Sequence, residues 1–253
     1  NVLDGGTQCF PLYWYEEISS GKFKRHDAIT DETLEVFRRA YPEGITNRLM
    51  KDGGPEINKE DIFYYIYGIL HAPEYRKRVE SNLKKELPRI PLSKNFREFS
   101  MSGRALADLH VHYEDVEMYP LEVVGDETNP GHVQKMKWGK KKDTKTGKIT
   151  DDKTVLIYNA NLTYRGIPEN ANRYIVNGRS PLEWMIDRYQ VKTDKASGIV
   201  NDPNEYSEDP CYIIHLIKRL VTVSVRTMEI VDTLPKIDEM DRPEEWPEAR
   251  KDN

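Results

Sequence analysis

The chain has 253 residues, a length that suits one large domain or two small ones with a substantial hydrophobic core. Its net charge is −5 and its pI is about 5.8. This acidic balance argues against a protein that binds nucleic acid over its whole surface, because phosphate contacts come from clustered lysine and arginine.

The two cysteines, Cys9 and Cys211, lie far apart in sequence. They argue against a disulfide framework or a structural zinc site and indicate a reducing compartment, so we expect a cytoplasmic protein. No run of about 18 apolar residues occurs, so neither a membrane-spanning helix nor a membrane partner is expected. The sequence begins at Asn1 without a signal peptide, and we expect it to be a fragment of a longer polypeptide.

The first predicted elements are a strand and a short helix. The aromatic, β-prone run from Cys9 to Tyr15 predicts a strand, and Pro11 favours a position at a sheet edge. A helix is predicted from Thr30 to about Tyr41, where Pro42 ends it. The glycine-containing segment 51–55 predicts a loop that could act as a hinge.

A helical section follows this loop. Asn58 is a suitable N-cap with Asp61 at the third helical position, and residues 62–70 are apolar nearly all round, which indicates a buried helix. Pro73 suits the first position of a second helix. A third helix is predicted from Phe96 to about His112. The second helix should bury one stripe, formed by Tyr75, Val79, Leu83 and Leu87.

From Met118 onward the pattern changes to short β-like runs. They cover residues 118–124, 132–138, 153–159 and 173–178, and the glycine, proline, asparagine and aspartate between them suit an antiparallel sheet. The segment KKKDTKTGKIT predicts a hairpin that turns at residues 145–148. After it, Ser180 with Pro181 and Glu183 forms the sequence of a capping box at the start of a helix.

The last predicted helix runs from about Asp209 to Asp232. We expect its buried face to contain Ile213, Ile217, Leu220, Ser224, Met228 and Val231. Residues 237–253 hold seven acidic and three basic residues, and we expect this acidic tail, from residue 236 onward, to be mobile. The fold class predicted from these elements is α+β, with a helical N-terminal half, a small antiparallel sheet and a long C-terminal helix.

Three segments of the chain resemble a known protein family. They are DIFYYIYGILHAPEYRKRVESNLKKELPRIPL (61–92), GRALADLHVHYE (103–114) and NRYIVNGRSPLEWMIDRYQVKTDKASGIVNDPNEYSEDP (172–210). Together they resemble the C-terminal target-recognition region of type ISP restriction–modification enzymes, and the similarity runs from the first residues to about Leu234. Such enzymes join a nuclease, a helicase-like motor, an N6-adenine methyltransferase and a DNA specificity domain in one polypeptide.

The resemblance implies one target-recognition domain over residues 1–235. Its helical part would cover about 56–115, its β-rich part about 116–205 and its last helix about 209–232, followed by the tail 236–253. Its partners would be double-stranded DNA and the methyltransferase domain of the same polypeptide. The upstream methyltransferase would flip and methylate the target adenine.

The sequence contains no motif for catalysis or for a cofactor. It has no G-x-G-x-x-G loop, no Walker A sequence, no Asn-Pro-Pro-Tyr-like tetrapeptide and no nuclease signature. We therefore expect a non-catalytic chain without a cofactor of its own. S-adenosylmethionine, ATP and Mg²⁺ would serve the other domains of the full-length enzyme.

Candidate DNA contacts fall into three groups. Residues 132–153 contain eight lysines and three aspartates, so this segment carries a charge of 8 − 3 = +5. Its lysines would contact phosphates, whereas asparagine and arginine suit the reading of adenine and guanine. The candidates are Lys135, Lys137, Lys140, Lys141, Lys142, Lys145 and Lys148; Asn159, Asn161, Arg165, Arg173 and Arg179; and Lys192 and Lys195.

Two other interpretations remain open. The lysine-rich loop could be merely solvated and the asparagines could cap turns, in which case the chain would be a scaffold that docks the methyltransferase to the motor without reading DNA. Alternatively, a metal-dependent enzyme could use Asp108, His110, His112 and Asp115. A helix there argues against a metal site, because residues two apart point to different sides of a helix.

Overall fold

The computed structural model describes residues 9–41, 56–80 and 87–241. The predicted hinge at 51–55, the helix end at Pro42, the stripe residue Leu83 and the last twelve residues of the predicted tail lie outside these ranges. The chain divides into two compact units, one containing residues up to Ala107 and from Thr233 onward, the other comprising Asp108–Asp232. No helix among the described residues is long and apolar enough to cross a membrane.

The first unit begins with a β-hairpin. Strand β1 (Tyr13–Ser19) pairs with strand β2 (Lys22–Asp27) in a two-stranded antiparallel sheet. The strand predicted over Cys9 to Tyr15 therefore starts later than expected, and its partner was not predicted. The signal for β2 is weak because lysine, arginine and histidine interrupt its apolar residues.

Four helices follow, and their starts agree with the predicted ones. They are α1 (Asp31–Ala40), α2 (Lys59–His71), α3 (Pro73–Val79) and α4 (Phe96–Val111). Asn58 and Asp61 form a complete capping box at α2, and Pro73 occupies the first turn of α3. These predictions succeed because a cap depends on residues only three positions apart.

The core of the first unit is aromatic. Tyr65 on α2 stacks on Phe96 at the start of α4, with ring centroids 4.7 Å apart, and both are fully buried. Helices α2 and α4 approach closely at Gly68 and Gly103. A Cβ added to Gly103 would lie 1.8 Å from the Tyr64 carbonyl oxygen. The predicted stripe of α3 holds for Tyr75 but not for Leu87, which is exposed because α3 ends at Val79.

The expected mobile tail is wrong for residues 236–241. The Met240 amide donates to the Leu92 carbonyl oxygen at 2.8 Å, and the Lys94 amide donates to that of Asp238 at 2.9 Å. Ile237 and Met240 pack against the same core as α2. Two apolar residues within the acidic sequence thus bind this segment to the first unit.

The second unit contains a four-stranded antiparallel sheet with strand order β3-β6-β5-β4. Its strands are β3 (Glu122–Val124), β4 (Lys137–Lys142), β5 (Ile149–Ile157) and β6 (Thr163–Arg165). Helix α5 (Pro181–Arg188) follows with the predicted capping box, and then a short hairpin of β7 (Lys192–Thr193) and β8 (Val200–Asn201). Helix α6 (Tyr212–Asp232) is the last element.

The strand predicted at residues 173–178 is wrong. Arg173 ends a 3₁₀ turn (Glu169–Arg173), and residues 176–179 form a tight turn. Asn177 and Gly178 have φ values of 50° and 82°, so the Asn-Gly pair forces a turn where the apolar residues alone suggested a strand. The fourth strand is instead β6, which was not predicted.

Helix α6 supplies one wall of the second core. The predicted face is confirmed: Ile213, Ile217, Ser224, Met228 and Val231 are buried, and Leu220 is partly buried. The core joins α6 to residues of the sheet and of α5, among them Leu156, Tyr164 and Leu182. The predicted α+β class, with a small antiparallel sheet and a long last helix, is confirmed.

Candidate nucleic-acid interface

The lysine-rich segment forms a hairpin arm that begins at a buried tryptophan. Trp138 on β4 pairs with Leu156, whereas the next residue, Gly139, pairs with Asp152, so residues 153–155 of β5 bulge out of the ladder. A Cβ on Gly139 would lie 2.9 Å from that of Val155. Trp138 belongs to the core, and every residue of 140–151 is exposed. The arm is therefore anchored at its base and free on both faces.

Two lysines of the arm are paired with acids on the opposite strand. Lys140 Nζ lies 2.5 Å from Asp151 Oδ1, and Lys141 Nζ lies 4.0 Å from Asp152 Oδ1. Within the described ranges, the other lysines of the arm and its base have no acidic partner. These are Lys135, Lys137, Lys142, Lys145 and Lys148. They are the lysines best placed to neutralise phosphates.

The end of the arm is a turn organised by Asp143. Its Oδ1 accepts hydrogen bonds from the Lys145 amide at 2.9 Å and from the amide and hydroxyl of Thr146 at 2.6 and 2.9 Å. These bonds, that of the Thr146 amide above all, hold the pKa of the Asp143 carboxyl below its usual range. Gly147 completes the turn with φ 70°. The turn fixes the backbone of the segment that presents Lys145 and Lys148.

The short hairpin of β7 and β8, which carries Lys192 and Lys195, ends in the same kind of turn. Asp194 Oδ1 accepts from the Ala196 amide at 3.0 Å and from the amide and hydroxyl of Ser197 at 2.8 and 2.9 Å, and Gly198 has φ 71°. The pKa of Asp194 is lowered for the same reason, chiefly by the Ser197 amide. Lys192 and Lys195 were predicted as DNA contacts, but the repeated turn was not predicted. The shared pattern D-x-x-[TS]-G was the available signal.

The two hairpins are connected at their bases. Lys135, just before β4, forms an antiparallel bridge with Gln190, just before β7, and the Val191 amide donates to the Gln134 carbonyl oxygen at 3.0 Å. Lys192 and Lys195 are both exposed. The structure thus joins two groups of predicted DNA contacts that lie more than forty residues apart in sequence.

The two candidate asparagines differ in role. The Asn159 amide nitrogen donates to the Pro130 carbonyl oxygen at 2.7 Å, and its Oδ1 accepts from the amides of Asn161 and Leu162, both at 2.9 Å. This side chain holds the turn before β6, as the alternative interpretation proposed. The Asn161 side chain is exposed.

The three candidate arginines also differ. The Arg173 guanidinium makes a two-pronged pair with Asp232 at 2.6 and 2.7 Å, and Arg165 on β6 is exposed. Arg179 lies 5.0 Å above the Trp184 ring and 3.1 Å from Asp187. These contacts orient Arg179 while leaving 48% of its side chain exposed.

The histidines of the alternative metal site face different neighbours. His110 Nε2 lies 2.9 Å from the Thr227 hydroxyl and its ring stacks on Tyr174, whereas His112 Nδ1 lies 3.1 Å from Asp108. Within the described residues, no group of three histidine, cysteine or acidic side chains is arranged to hold a metal ion. The geometry gives no support to a metal-dependent enzyme.

Comparisons with known proteins agree with the resemblance. A search of curated proteins found no match. Among solved structures, the chain is similar to a nuclease-deletion mutant of the type ISP restriction-modification enzyme LlaGI in complex with a DNA substrate mimic, with 45% identity over 74% of this chain and a TM-score of 0.63. It is also similar to the ATP-dependent type ISP enzyme LlaBIII bound to DNA, with 37% identity over 91% and a TM-score of 0.73.

A third similar structure is the DrdV–DNA complex, with 30% identity over 89% of this chain and a TM-score of 0.70. The chain spans 14% of the LlaGI and LlaBIII chains and 21% of the DrdV chain. The family model described as the type ISP C-terminal specificity domain matches residues 1–216. The chain therefore belongs to the family of type ISP C-terminal specificity domains.

Proposed function

We propose that this chain is the DNA target-recognition module of a bacterial type ISP restriction–modification enzyme. It binds double-stranded DNA and selects the sequence on which the other domains act. The observation that carries the proposal is the pair of joined hairpins. Their unpaired lysines are exposed on a domain whose structural relatives are DNA complexes.

The module works by binding and not by catalysis. Lysines of the arm, such as Lys142 and Lys145, neutralise phosphates and set the register, while Arg179, Asn161 and Arg165 are available to meet base edges. Arg173 and Asn159 serve this surface indirectly, because most of their hydrogen-bonding groups are already used within the protein. The remaining candidates are Lys135, Lys137, Lys140, Lys141, Lys148, Lys192 and Lys195.

The reactions belong to other domains of the longer polypeptide. The sequence has no cofactor loop or catalytic tetrapeptide, so S-adenosylmethionine, ATP and Mg²⁺ are assigned to those domains. The methyltransferase domain is the proposed intramolecular partner, since a target base must be held in register while it is flipped out and modified. The whole enzyme would act in the bacterial cytoplasm.

The scaffold alternative is supported by the acidic net charge of −5. It predicts that the chain does not bind DNA. The segregation of charge weakens it, because a segment with a charge of +5 forms an exposed arm on a chain whose total is negative.

The experiment is a salt titration of binding to random duplex DNA. The chain is compared with a variant in which Lys140, Lys141, Lys142 and Lys145 are changed to Glu. A charge-matched control carries glutamate at four lysines of the first unit, all exposed: Lys22, Lys24, Lys77 and Lys236.

We expect the affinity of the unmodified chain and of the control to fall steeply as salt rises. The logarithmic slope should drop in the arm variant by about 0.9 for each phosphate that its side chains no longer neutralise. Equal binding by all three proteins would contradict the role of the arm. Absence of binding by the unmodified chain at low salt would favour the scaffold.

A further inference from the structure

The two hairpin ends also share a backbone hydrogen bond that closes the turn. The Asp143 amide donates to the Lys148 carbonyl oxygen at 2.9 Å, and the Asp194 amide donates to the Ile199 carbonyl oxygen at 2.8 Å. Lys148 and Ile199 are therefore equivalent positions, and so are the residues that follow them, Ile149 and Val200. Each turn thus leads into the same two positions of a returning strand.

The second of these positions carries an exposed apolar side chain in both hairpins, Ile149 and Val200, whereas the first is Lys148 in one hairpin and an exposed Ile199 in the other. Ile149 is 66% exposed, Ile199 68% and Val200 56%. Ile149 stands in an arm, residues 140–151, that otherwise consists of lysine, aspartate, threonine and glycine. A single exposed isoleucine is ordinary on a protein surface. Its recurrence at the same place in a second hairpin is a separate observation that indicates a shared use.

The register puts this apolar group beside a cation. Ile149 is the direct partner of Lys142 across the strands, so the two side chains stand on the same face of the hairpin. A two-stranded ribbon of this kind fits into the major groove of B-DNA. In that position, Lys142 can reach a phosphate while Ile149 meets the edges of the bases.

The base edges offer one apolar group in the major groove, the C5-methyl group of thymine. We propose that Ile149 in the first hairpin, and Ile199 with Val200 in the second, recognise thymine methyl groups of the target site. This inference rests on the proposed function, which it deepens by naming the chemical group that is read. Each hairpin would then combine apolar base contacts with phosphate contacts from its lysines.

The test removes the methyl group from the DNA. The methylated site of the intact polypeptide is first mapped on plasmid DNA. Duplexes containing that site are then made with deoxyuridine in place of one thymine at a time. Because the site contains an adenine, it contains at least one thymine. Binding is measured for the intact polypeptide, for Ile149→Ala, for the double variant Ile199→Ala/Val200→Ala, and for Ile18→Ala.

Ile18 is the matched control, since it is 60% exposed on β1 in the first unit. Loss of one buried methyl group should weaken binding about fourfold. We expect this loss at one or more thymines for the intact polypeptide and for Ile18→Ala. At each of these thymines, either Ile149→Ala or the double variant should abolish the loss.

Two results would overturn the inference while the proposed function stands. In the first, site-specific binding is unaffected by deoxyuridine at every position. In the second, sensitivity to deoxyuridine persists unchanged in both hairpin variants. Absence of any preference for the mapped site over random duplex DNA would instead reject the proposed function, and the inference with it.

Discussion

Arg173 and Asp232 form a two-pronged ion pair in which two guanidinium nitrogens donate to the two carboxylate oxygens at 2.7 and 2.6 Å. The pair connects the end of a 3₁₀ turn to the last residue of α6, 59 positions later in the sequence. It raises the pKa of the arginine and lowers that of Asp232. Arg173 therefore acts within the protein before any DNA is present.

We predict that Arg173→Gln slightly lowers the melting temperature and leaves the DNA site preference unchanged. The reason is that its donors already bind Asp232, so few remain for a base. Asp232→Asn should lower the melting temperature similarly, and the double variant should add little. Thermal unfolding followed by circular dichroism measures the three effects. A changed DNA preference in Arg173→Gln alone would contradict this assignment.

Acidification should loosen the two hairpin ends. The pKa of Asp143 and that of Asp194 are lowered in the folded chain. The stabilisation from each carboxylate is therefore fully present above the unfolded pKa of about 3.9, and it is lost as the pH falls through the lower, folded value.

Amide exchange at Lys145 and Thr146, followed by NMR between about pH 5 and pH 2, should report this loss. Asp143→Asn keeps an acceptor and should remove most of the pH dependence, whereas Asp143→Ala should expose these amides at every pH. Protection that is the same across the range would show that the carboxylate does not hold the turn.

The close approach of α2 and α4 should make Gly103 intolerant of a side chain. A Cβ there would lie 1.8 Å from the Tyr64 carbonyl oxygen, which is backbone and cannot rotate away. Gly103→Ala should destabilise the protein by about 1–3 kcal/mol or more. Ala105→Ser, at an exposed position of the same helix, should change stability by less than about 0.5 kcal/mol. Urea unfolding compares them, and equal stability of the two variants would refute the tight contact.

The Tyr65 hydroxyl should contribute to stability through two hydrogen bonds. It donates to the Pro91 carbonyl oxygen at 2.6 Å and accepts from the Ser93 amide at 2.9 Å, all within the core of the first unit. Tyr65→Phe leaves the buried amide without its acceptor and should cost about 1–3 kcal/mol.

Tyr75→Phe is the matched control. Its hydroxyl donates to the Arg89 carbonyl oxygen at 2.9 Å, and Arg89 is exposed. Water can replace that donor, so the loss should be smaller. Urea unfolding of both variants gives the comparison, and a larger loss for Tyr75→Phe would contradict the account.

Lysines of the arm should differ in their effect on DNA binding. Lys140 is paired with Asp151, whereas Lys142 has no acidic partner among the described residues. We expect Lys142→Gln to reduce the salt slope of DNA binding by about 0.9 and Lys140→Gln to reduce it less. The slopes come from fluorescence anisotropy at several salt concentrations. A larger effect of Lys140→Gln would contradict the assignment.

Much of the local structure could be predicted from the sequence. Both capping boxes, Asn58 with Asp61 and Ser180 with Glu183, lie where their three-residue spacing placed them. The turn of the lysine-rich hairpin and the buried face of α6 were also predicted. Each of these features depends on residues that are close in sequence.

The wrong predictions have two causes. In one, a turn-forming residue pair outweighed the apolar residues beside it. In the other, a side chain contacts a residue that is distant in sequence. The Asn177-Gly178 turn replaced a predicted strand, because positive φ at both residues outweighs the apolar neighbours. The pairing of Arg173 with Asp232 and the bridge from Lys135 to Gln190 depend on tertiary structure. Periodicity carries no information about such contacts, so the division of the DNA candidates into free and occupied side chains required the structure.

The most direct test of target recognition is an exchange of specificity domains. This chain would replace the corresponding region of LlaBIII, to which it is 37% identical over 91% of its length. The methylated sequence of the chimaera would then be mapped by sequencing plasmid DNA. We predict that the chimaera methylates a sequence other than the LlaBIII site. Continued methylation of the LlaBIII site would contradict the account, because the sequence preference would then reside outside this domain.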